Sequence, residues 1–148
     1  MKILSPITGT VKKLEEVNDE AFSQKLMGDG IAVVPSDGHV YAPVAGEVTM
    51  LFPTAHAIGL KTSEGVEVLL HIGIDTVEMN GDGFKAYVQP GDHVQVDDLL
   101  ISMDLDKIAQ AGYEADTMMI ITNMGSYASM DIVQEGTIAH GMALLEMK

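Results

Sequence analysis

Five histidines are the side chains in this sequence best suited to acid, base or nucleophilic chemistry, because the unperturbed imidazole pKa of about 6.5 lies close to neutrality. His39, His93 and His140 each lie beside a glycine-containing turn, and no other reactive group flanks them. We expect these three to be solvated turn residues. His56 and His71 differ from them because each adjoins or interrupts an apolar run.

The second of this pair interrupts the most apolar segment of the chain, Val66–Ile74. Side chains of a strand alternate between its two faces, so His71 shares a face with Leu69. A turn at 63–65 joins this segment to the apolar run that follows His56, which predicts an antiparallel hairpin. Cross-strand neighbours have Cβ atoms roughly 5 Å apart, so the two imidazoles are expected to be close enough to share a phosphate, a proton or a metal ion.

Two further polar residues flank the predicted pair. Thr54 precedes His56 by two positions, so its hydroxyl is available to orient an imidazole, and Pro53 predicts a kink beside it. Asp75 follows the strand of His71, where a carboxylate would tune an imidazole pKa or repel an incoming phosphate. Thr54 fits equally well as an ordinary β-branched strand residue, and position alone does not decide between the two effects of Asp75.

Short apolar runs between 15 glycines and five prolines predict a chain built mainly of β-strands. A weak internal repeat relates the segment Ser5–Val11 to Ala42–Val48, which fits two equivalent strand starts. Two helical connections are predicted at Asn18–Met27 and Asp104–Ala111. The predicted strands are Gly9–Lys13, Ile31–Pro35, Gly46–Phe52, His56–Thr62, Val66–Ile72, Leu99–Met103, Thr117–Thr122 and a C-terminal pair near Ile138 and Leu144.

Length, net charge and cysteine content exclude or disfavour several classes of function. A length of 148 residues fits a single domain over 1–148, and a formal net charge of −14 disfavours binding to nucleic acid or anionic lipid. The sequence has no cysteine, which excludes disulfides, thiolate metal sites and cysteine nucleophiles. No segment has the roughly 20 apolar residues of a transmembrane helix. We therefore expect a cytoplasmic protein.

The segments Thr54–Ala57 and His71–Val77 resemble the two histidine motifs of the glucose-type enzyme IIA domain of the bacterial phosphoenolpyruvate-dependent sugar phosphotransferase system. This resemblance implies an all-β fold, an antiparallel β-sandwich or barrel-sandwich hybrid with short connecting helical turns. Further matches follow in order along essentially the whole chain: Ser5-Pro6 with Gly9, Gly28–Ala32, Ala42–Val44 with Gly46, Gly83-Phe84 and Asn123-Met124.

The resemblance also implies an activity and its partners. His56 would accept a phosphoryl group from the phosphocarrier protein HPr and pass it to a cysteine of an enzyme IIB domain. That domain phosphorylates the sugar entering through the membrane IIC permease, and regulatory proteins are further expected partners. His71 would stabilise the phosphoryl group, with Thr54 orienting His71. No cofactor is required, although some members of the family bind zinc between two histidines at a protein interface.

Because the donor and the acceptor are both proteins, we expect the histidine pair to lie within an apolar patch that excludes water during docking. An acidic rim would favour a basic partner surface. The positions flanking the histidines, often phenylalanine in the resembled family, are here mostly aliphatic. The residues predicted to bind partners are Phe52, Ile58, Leu69, Ile72, Asp75 and Val77.

Two other classes of protein compete with this interpretation. A zinc hydrolase of the lysostaphin type is suggested by the segment Val40–Pro43, but it needs three protein ligands, and the required His-x-His is missing around His71. A biotinyl or lipoyl carrier is suggested by Pro90–Asp92. Such a carrier needs a lysine at a hairpin tip, and neither Lys61 nor Lys148 has that sequence context.

Overall fold

The computed structural model describes all 148 residues and consists mainly of antiparallel strands, which confirms the predicted fold class. The helices are α1 (Glu20–Ser23), α2 (Leu105–Gln110) and two short 3-10 helices at Leu14–Glu16 and Thr76–Met79. The strands are β1 (Lys2–Leu4), β2 (Gly9–Lys13), β3 (Asp29–Pro35), β4 (His39–Tyr41), β5 (Gly46–Leu51), β6 (Ala57–Lys61), β7 (Glu67–Ile74), β8 (Phe84–Ala86), β9 (His93–Val94), β10 (Leu99–Met103), β11 (Glu114–Asn123), β12 (Met130–Ile132), β13 (Thr137–Ile138) and β14 (Ala143–Met147).

Three sheets make up the fold. The largest has eight strands in the order β13-β2-β3-β11-β7-β6-β5-β9, and two three-stranded sheets have the orders β1-β14-β12 and β4-β10-β8. The main hydrophobic core of 25 buried residues includes Leu70 from the large sheet, Leu144 from the first small sheet and Ile101 from the second. The core therefore lies between the large sheet and the two small ones, as in a sandwich.

A second, smaller apolar cluster covers part of the opposite face of the large sheet. The segment of residues 14–22 supplies Leu14, Val17 and Phe22, which pack with Leu69 of β7 and Met118 of β11 among its nine buried members. Alternation along β7 thus sends Leu69 to the outer cluster and its even-numbered neighbours to the main core. His71 shares the outer face with Leu69, as the sequence predicts.

Both helices are shorter than predicted, although their N-terminal caps are the expected acidic residues. Asp19 accepts a hydrogen bond from the backbone N–H of Ala21 at 2.9 Å, and Asp104 caps α2 in the same way. Helix α1 ends at Ser23 rather than continuing to Met27, because Lys25 adopts a left-handed φ of 57° that no α-helix can contain.

Each copy of the internal repeat identified in the sequence accepts a hydrogen bond from the residue that precedes the other copy. The N–H of Leu4 donates to the carbonyl oxygen of Pro43 at 3.0 Å, and the N–H of Tyr41 donates to that of Pro6 at 2.7 Å. Each proline thus contributes its acceptor where it has no donor to offer. Strands β2 and β5 then begin at the repeat glycines Gly9 and Gly46.

The first and last strands are neighbours. Lys2 of β1 pairs with Glu146 of β14 in antiparallel register, and the amino group of Met1 donates to the carbonyl oxygen of Met147 at 3.1 Å. Neither α-helix has the length or the apolar character needed to cross a bilayer.

Candidate functional site

The hairpin of β6 and β7 brings the two predicted histidines together. Ala57 is the direct antiparallel partner of His71, and the N–H of Ile72 donates to the carbonyl oxygen of His56 at 2.7 Å. His56 therefore lies one residue before the strand rather than in register with His71. The two imidazole rings nevertheless meet edge to face, with centroids 5.1 Å apart and planes at 79°.

A tight turn before β6 positions the first histidine. The N–H of Ala55 donates to the carbonyl oxygen of Phe52 at 2.8 Å, which encloses Pro53 and Thr54 in a four-residue turn. Proline suits the first corner of such a turn because its φ is already fixed. Ala55 then adopts a left-handed φ of 57°, so the chain changes direction immediately before His56.

Within this turn, the hydroxyl of Thr54 makes a short hydrogen bond with Nδ1 of His56. The family resemblance implied instead that Thr54 orients His71, and that expectation is wrong for this structure. The reason is local: Thr54 and His56 belong to one turn and lie two residues apart. The Nδ1 atom of His71 has a different partner.

That partner is the backbone of its own strand, because Nδ1 of His71 donates a hydrogen bond to the carbonyl oxygen of Gly73 at 2.9 Å. Gly73 has a φ of +82°, and a Cβ built on it would lie 2.3 Å from Cγ2 of Thr76. The hydroxyl of Thr76 donates to the carbonyl oxygen of Ile72. The sequence His-Ile-Gly-Ile-Asp-Thr thus folds back on itself in a way that only glycine permits at its third position.

Two phenylalanines bracket the imidazole pair. The ring of Phe52 meets that of His56 edge to face at 5.0 Å, and the ring of Phe22 lies 4.8 Å from that of His71. The contact with Phe22 was not foreseen, because this residue is 49 positions away from His71 and belongs to the segment that covers the outer face. Nothing in the local sequence pattern signals this contact.

Both imidazoles are neutral at pH 7. Burial lowers the pKa of His56 below its ordinary value. Burial also lowers the pKa of His71 to about 4, together with repulsion from His56, although the hydrogen bond to Gly73 and the carboxylates of Asp19 and Asp75 oppose this effect. A neutral imidazole has a free nitrogen lone pair, so the site can supply a nucleophile or a metal ligand.

The predicted partner-binding residues divide into two groups. Phe52, Asp75 and Val77 are exposed and available for docking. Ile58 and Ile72 are fully buried in the main core, so the prediction that they contact a partner is wrong. Their side chains alternate away from the outer face on which His71 lies.

Leu69 belongs to the outer cluster and keeps only a small accessible surface. Two exposed apolar residues that the sequence analysis did not single out, Leu26 and Met27, follow the segment that supplies Phe22. They extend the apolar character of this region of the surface. Their segment was predicted only as a helical connection, and that prediction carried no expectation of exposed apolar surface.

The other three histidines lie outside this site. His39 and His93 are exposed and lie close to the carboxylates of Asp37 and Glu47. His140 is more ordered than a solvated turn residue, because its ring stacks on Tyr41 with centroids 3.9 Å apart and its Nδ1 lies 2.8 Å from Asp97.

A metal ion at this site would have two protein ligands, His56 and His71. No group of three or more histidine or carboxylate side chains in the structure is arranged to hold a metal ion. A hydrolytic zinc site needs three protein ligands, so the imidazole pair fits only a metal whose other ligands come from a second molecule.

Comparison with known proteins identifies the family of this chain. Residues 1–127 match the family described as phosphoenolpyruvate-dependent sugar phosphotransferase system, EIIA 1. The chain is 48% identical over 126 residues to the glucose-specific EIIA component of the phosphotransferase system of Halalkalibacterium halodurans, an alignment that spans 85% of this chain and 73% of that protein.

A solved structure, glucose permease IIA from Mycoplasma capricolum, is also similar to this chain. The two superpose with a TM-score of 0.93 at 38% sequence identity, over 98% of this chain and 94% of the other. The fold and the sequence therefore lead to the same assignment: the chain belongs to the EIIA 1 family of the phosphoenolpyruvate-dependent sugar phosphotransferase system.

Proposed function

We propose that this chain is a phosphoryl carrier that accepts a phosphoryl group from phosphorylated HPr on one imidazole of the pair and passes it to a cysteine of an enzyme IIB domain. The observation that carries the proposal is the contact between His56 and His71, two neutral imidazoles 5.1 Å apart. One ring can act as the nucleophile while the other donates a hydrogen bond to the transferred group.

The hydrogen bonds support His71 as the nucleophile, which reverses the roles predicted from the sequence. A carbonyl oxygen can only accept, so Nδ1 of His71 carries the proton in its bond to Gly73. The neutral ring then has its lone pair on Nε2. His71 also keeps some accessible surface, whereas His56 is only 3% exposed.

His56 is suited to the complementary role. When the hydroxyl of Thr54 donates to Nδ1 of His56, the proton of that neutral ring lies on Nε2. A donor N–H is what a phosphoryl oxygen requires, since its negative charge must be balanced during transfer. The hydrogen bond with Thr54 thus favours the tautomer of His56 that donates from Nε2. The hydrogen bond to Gly73 favours the tautomer of His71 that has its lone pair on Nε2.

The proposed transfer conserves atoms and charge. The Nε2 lone pair of His71 attacks phosphorus, the N–P bond of the phosphorylated donor histidine breaks, and the electron pair of that bond returns to the donor imidazole. The thiolate of the IIB cysteine later attacks the same phosphorus, and the His71 ring regains its lone pair. Both steps depend on in-line positioning and charge balance, so no cofactor is required.

The surroundings of the pair support docking by proteins. Phe52 and Val77 expose apolar surface on the segments that carry the two histidines, and Asp75 adds a negative charge. Leu26 and Met27 expose further apolar surface on the segment that follows Phe22. With a formal net charge of −14, the chain is expected to attract a basic partner surface. We infer a cytoplasmic location, with the IIC permease reached only through IIB.

Interfacial zinc is a second proposed occupant of the same pair. His56 and His71 would supply two nitrogen ligands, and a partner would supply the remainder. Calorimetric titration with zinc, with and without a partner protein, tests this occupancy; we expect tight binding only when the partner is present.

Intact-mass measurement tests the carrier function. The chain is incubated with phosphoenolpyruvate, enzyme I and HPr, and handled at alkaline pH because phosphohistidine is acid-labile. We expect one added phosphoryl group on the wild-type chain and none on His71→Gln. His56→Gln should be labelled but should transfer the group to IIB slowly.

Two other labelling results would lead to different conclusions. Label on His71→Gln with none on His56→Gln would restore the roles predicted from the sequence. No label on the wild-type chain, with the upstream proteins shown active on another IIA domain, would refute the carrier function itself.

A further inference from the structure

The dipeptide Asn80-Gly81 forms a turn directly after the 3-10 helix Thr76–Met79. Both residues have left-handed backbones, with φ of 53° and 83°. The peptide group that joins them makes no hydrogen bond, neither from the N–H of Gly81 nor to the carbonyl oxygen of Asn80. The side-chain amide of Asn80 is exposed and has no hydrogen-bond partner in the protein either.

The other two asparagines of the chain are held by hydrogen bonds. Nδ2 of Asn18 donates to Oε1 of Glu114 at 2.9 Å, and Oδ1 of Asn123 accepts from the N–H of Gly125 at 2.8 Å. Each of these asparagines is followed by a residue with a side chain, whereas Asn80 is followed by glycine. A residue without a Cβ leaves its backbone nitrogen least hindered. Asn80 is therefore the asparagine most open to attack by the next backbone nitrogen.

We propose that Asn80 is a site of spontaneous deamidation, and that its isoaspartate product slows phosphoryl transfer at the imidazole pair. The modification needs only water, so it is independent of any partner protein. Its effect on transfer rests on the proposed function.

The reaction consumes one water molecule and releases one ammonia molecule. The nitrogen of Gly81 gives its proton to hydroxide, and its electron pair forms a bond to Cγ of Asn80. The bond from Cγ to the side-chain nitrogen breaks, and this nitrogen leaves as ammonia after taking a proton from water. Both reacting groups belong to adjacent residues, so the five-membered succinimide ring closes within one molecule.

Water then opens the succinimide at one of its two carbonyl groups. Breaking the bond from Cγ to the nitrogen of Gly81 gives aspartate at position 80 and restores the original backbone. Breaking the bond from the backbone carbonyl to that nitrogen gives isoaspartate instead. The chain of isoaspartate runs through Cβ and Cγ, which inserts one extra carbon atom into the backbone.

The structure allows the rotation that ring closure requires. The backbone nitrogen of Gly81 reaches Cγ by rotation about ψ of Asn80, which is 34° in the structure. Because the peptide group itself is not hydrogen-bonded, this rotation costs it no partner. One local hydrogen bond spans the rotating bond, from the N–H of Asp82 to the carbonyl oxygen of Met79 at 3.0 Å.

The turn of Asn80 and Gly81 packs on the turn that contains Thr54. A Cβ built on Gly81 would lie 3.6 Å from Cα of Thr54 and 3.7 Å from its carbonyl oxygen. The hydroxyl of Thr54 in turn makes the short hydrogen bond with Nδ1 of His56. A longer backbone at position 80 must shift one turn against the other, so we expect isoaspartate to disturb the hydrogen bond that orients His56.

Ageing the wild-type chain tests the modification. Trypsin cleaves after lysine, which places the three asparagines on separate peptides, residues 14–25, 62–85 and 108–148. After several weeks at physiological temperature in mildly alkaline buffer, mass spectrometry should show exchange of NH2 for OH in peptide 62–85 and very little in the other two. An isoaspartate-specific methyltransferase should label the same peptide.

Two variants identify the reacting groups. Asn80→Gln should remain unmodified, because its longer side chain would have to close a six-membered ring. Gly81→Ala should slow conversion by up to about a hundredfold, the scale on which misplaced reacting atoms slow a reaction. Its new Cβ would contact nothing closer than 3.6 Å, so the variant should still fold.

Transfer kinetics on the aged chain test the functional effect. The modified form carries one more negative charge and is separated by anion exchange. We expect its transfer rate to IIB to fall roughly tenfold, less than the roughly hundredfold that a 1 Å misplacement can cost. Nitrogen NMR should show a mixture of His56 tautomers. Asn80→Asp is the matched control, because it adds the charge without the extra carbon, and it should transfer at close to the wild-type rate.

The modification is overturned if peptide 62–85 stays unchanged while a synthetic peptide of the same sequence is converted. The functional effect is overturned if the isoaspartate form transfers as fast as Asn80→Asp and His56 keeps a single tautomer. Neither result affects the carrier function, which fails only if the fresh wild-type chain takes no label.

Discussion

The Nδ1 atom of His71 donates a hydrogen bond to the carbonyl oxygen of Gly73, two residues further along the same strand, at 2.9 Å. Gly73, which supplies this oxygen, has a φ of +82°, and the side chain of Thr76 lies directly beside it. The orientation of the imidazole therefore depends on a backbone conformation that glycine adopts readily and other residues do not.

Replacing Gly73 with alanine should destabilise the fold and disturb His71. The new Cβ would meet Thr76 at 2.3 Å, and the left-handed backbone adds strain, so we expect a loss of about 2–4 kcal/mol in the free energy of unfolding. Urea denaturation measures this loss, and NMR of the His71 ring reports the tautomer.

Gly65→Ala is a suitable control for this substitution. Gly65 has a similar φ of +86° at the hairpin tip, but nothing lies within 4 Å of a Cβ built on it. The control should lose about 1 kcal/mol from backbone strain alone. Equal losses in the two variants would show that the contact with Thr76 has no energetic role.

His71 should remain neutral far into the acid range. Its pKa is lowered to about 4, so the ring should keep its free lone pair at pH 5.5, where an ordinary histidine is mostly protonated. NMR titration of the ring nitrogens measures this directly. A midpoint near 6.5 would show that the surroundings of His71 do not disfavour its protonated form.

The same lowered pKa predicts a loss of stability in acid. The unfolded chain binds a proton at this ring near pH 6.5 and the folded chain only near pH 4, so protonation favours unfolding as the pH falls between those values. The stabilisation is complete above pH 6.5, and up to about 3 kcal/mol of it is lost by pH 4.

Urea denaturation at pH 7.5, 5.5 and 4.5 tests this expectation in wild-type and His71→Gln chains. The difference in free energy of unfolding between the two should shrink as the pH falls. A constant difference would mean that the His71 pKa is the same in the folded and unfolded states.

Thr54→Val should impair transfer without preventing folding. Valine keeps the shape of threonine but cannot donate to Nδ1 of His56, so the Nε2–H tautomer of that ring would no longer be selected. We expect kcat for phosphoryl transfer to fall roughly tenfold, less than the roughly 100- to 1,000-fold that follows loss of a charge-stabilising donor, because His56 itself is retained.

Rescue by Thr54→Ser would identify the hydroxyl as the active group. Nitrogen NMR of His56 should show a mixture of tautomers in the valine variant and one tautomer in the serine variant. Full activity of the valine variant would remove Thr54 from the mechanism.

Ile58 and Phe52 should respond differently to truncation. Ile58→Ala removes a fully buried side chain of the main core and should cost about 2–5 kcal/mol in the free energy of unfolding. Phe52→Ala removes an exposed ring and should mainly raise KM for HPr, by about fivefold or more. Chemical denaturation and transfer kinetics on both variants separate the two roles.

The sequence was sufficient to predict the large elements and the imidazole pair. Glycine and proline spacing marked every strand of five or more residues, and Asp104 marked the start of α2. Strands β1, β4, β8, β9 and β12 were not predicted, because segments of two or three residues have too little alternation to identify.

Contacts between segments that lie far apart along the chain could not be predicted from the sequence either. Phe22 reaches His71 only because residues 14–22 fold over the outer face. The assignment of Ile72 to the docking surface was an error that strand alternation could have prevented, since Ile72 and His71 are adjacent and must face opposite ways. Proximity along the chain was mistaken for a shared surface.

The pairing of β1 with β14 has a mechanical consequence. Met1 and Met147 lie side by side at one end of an antiparallel pair, so a force pulling the two ends of the chain apart acts across the strands rather than along them. The inter-strand hydrogen bonds would then break one after another, like a zipper, instead of sharing the load. Under tension, this chain should peel open from its terminal strands while the hairpin that holds the imidazoles is still intact.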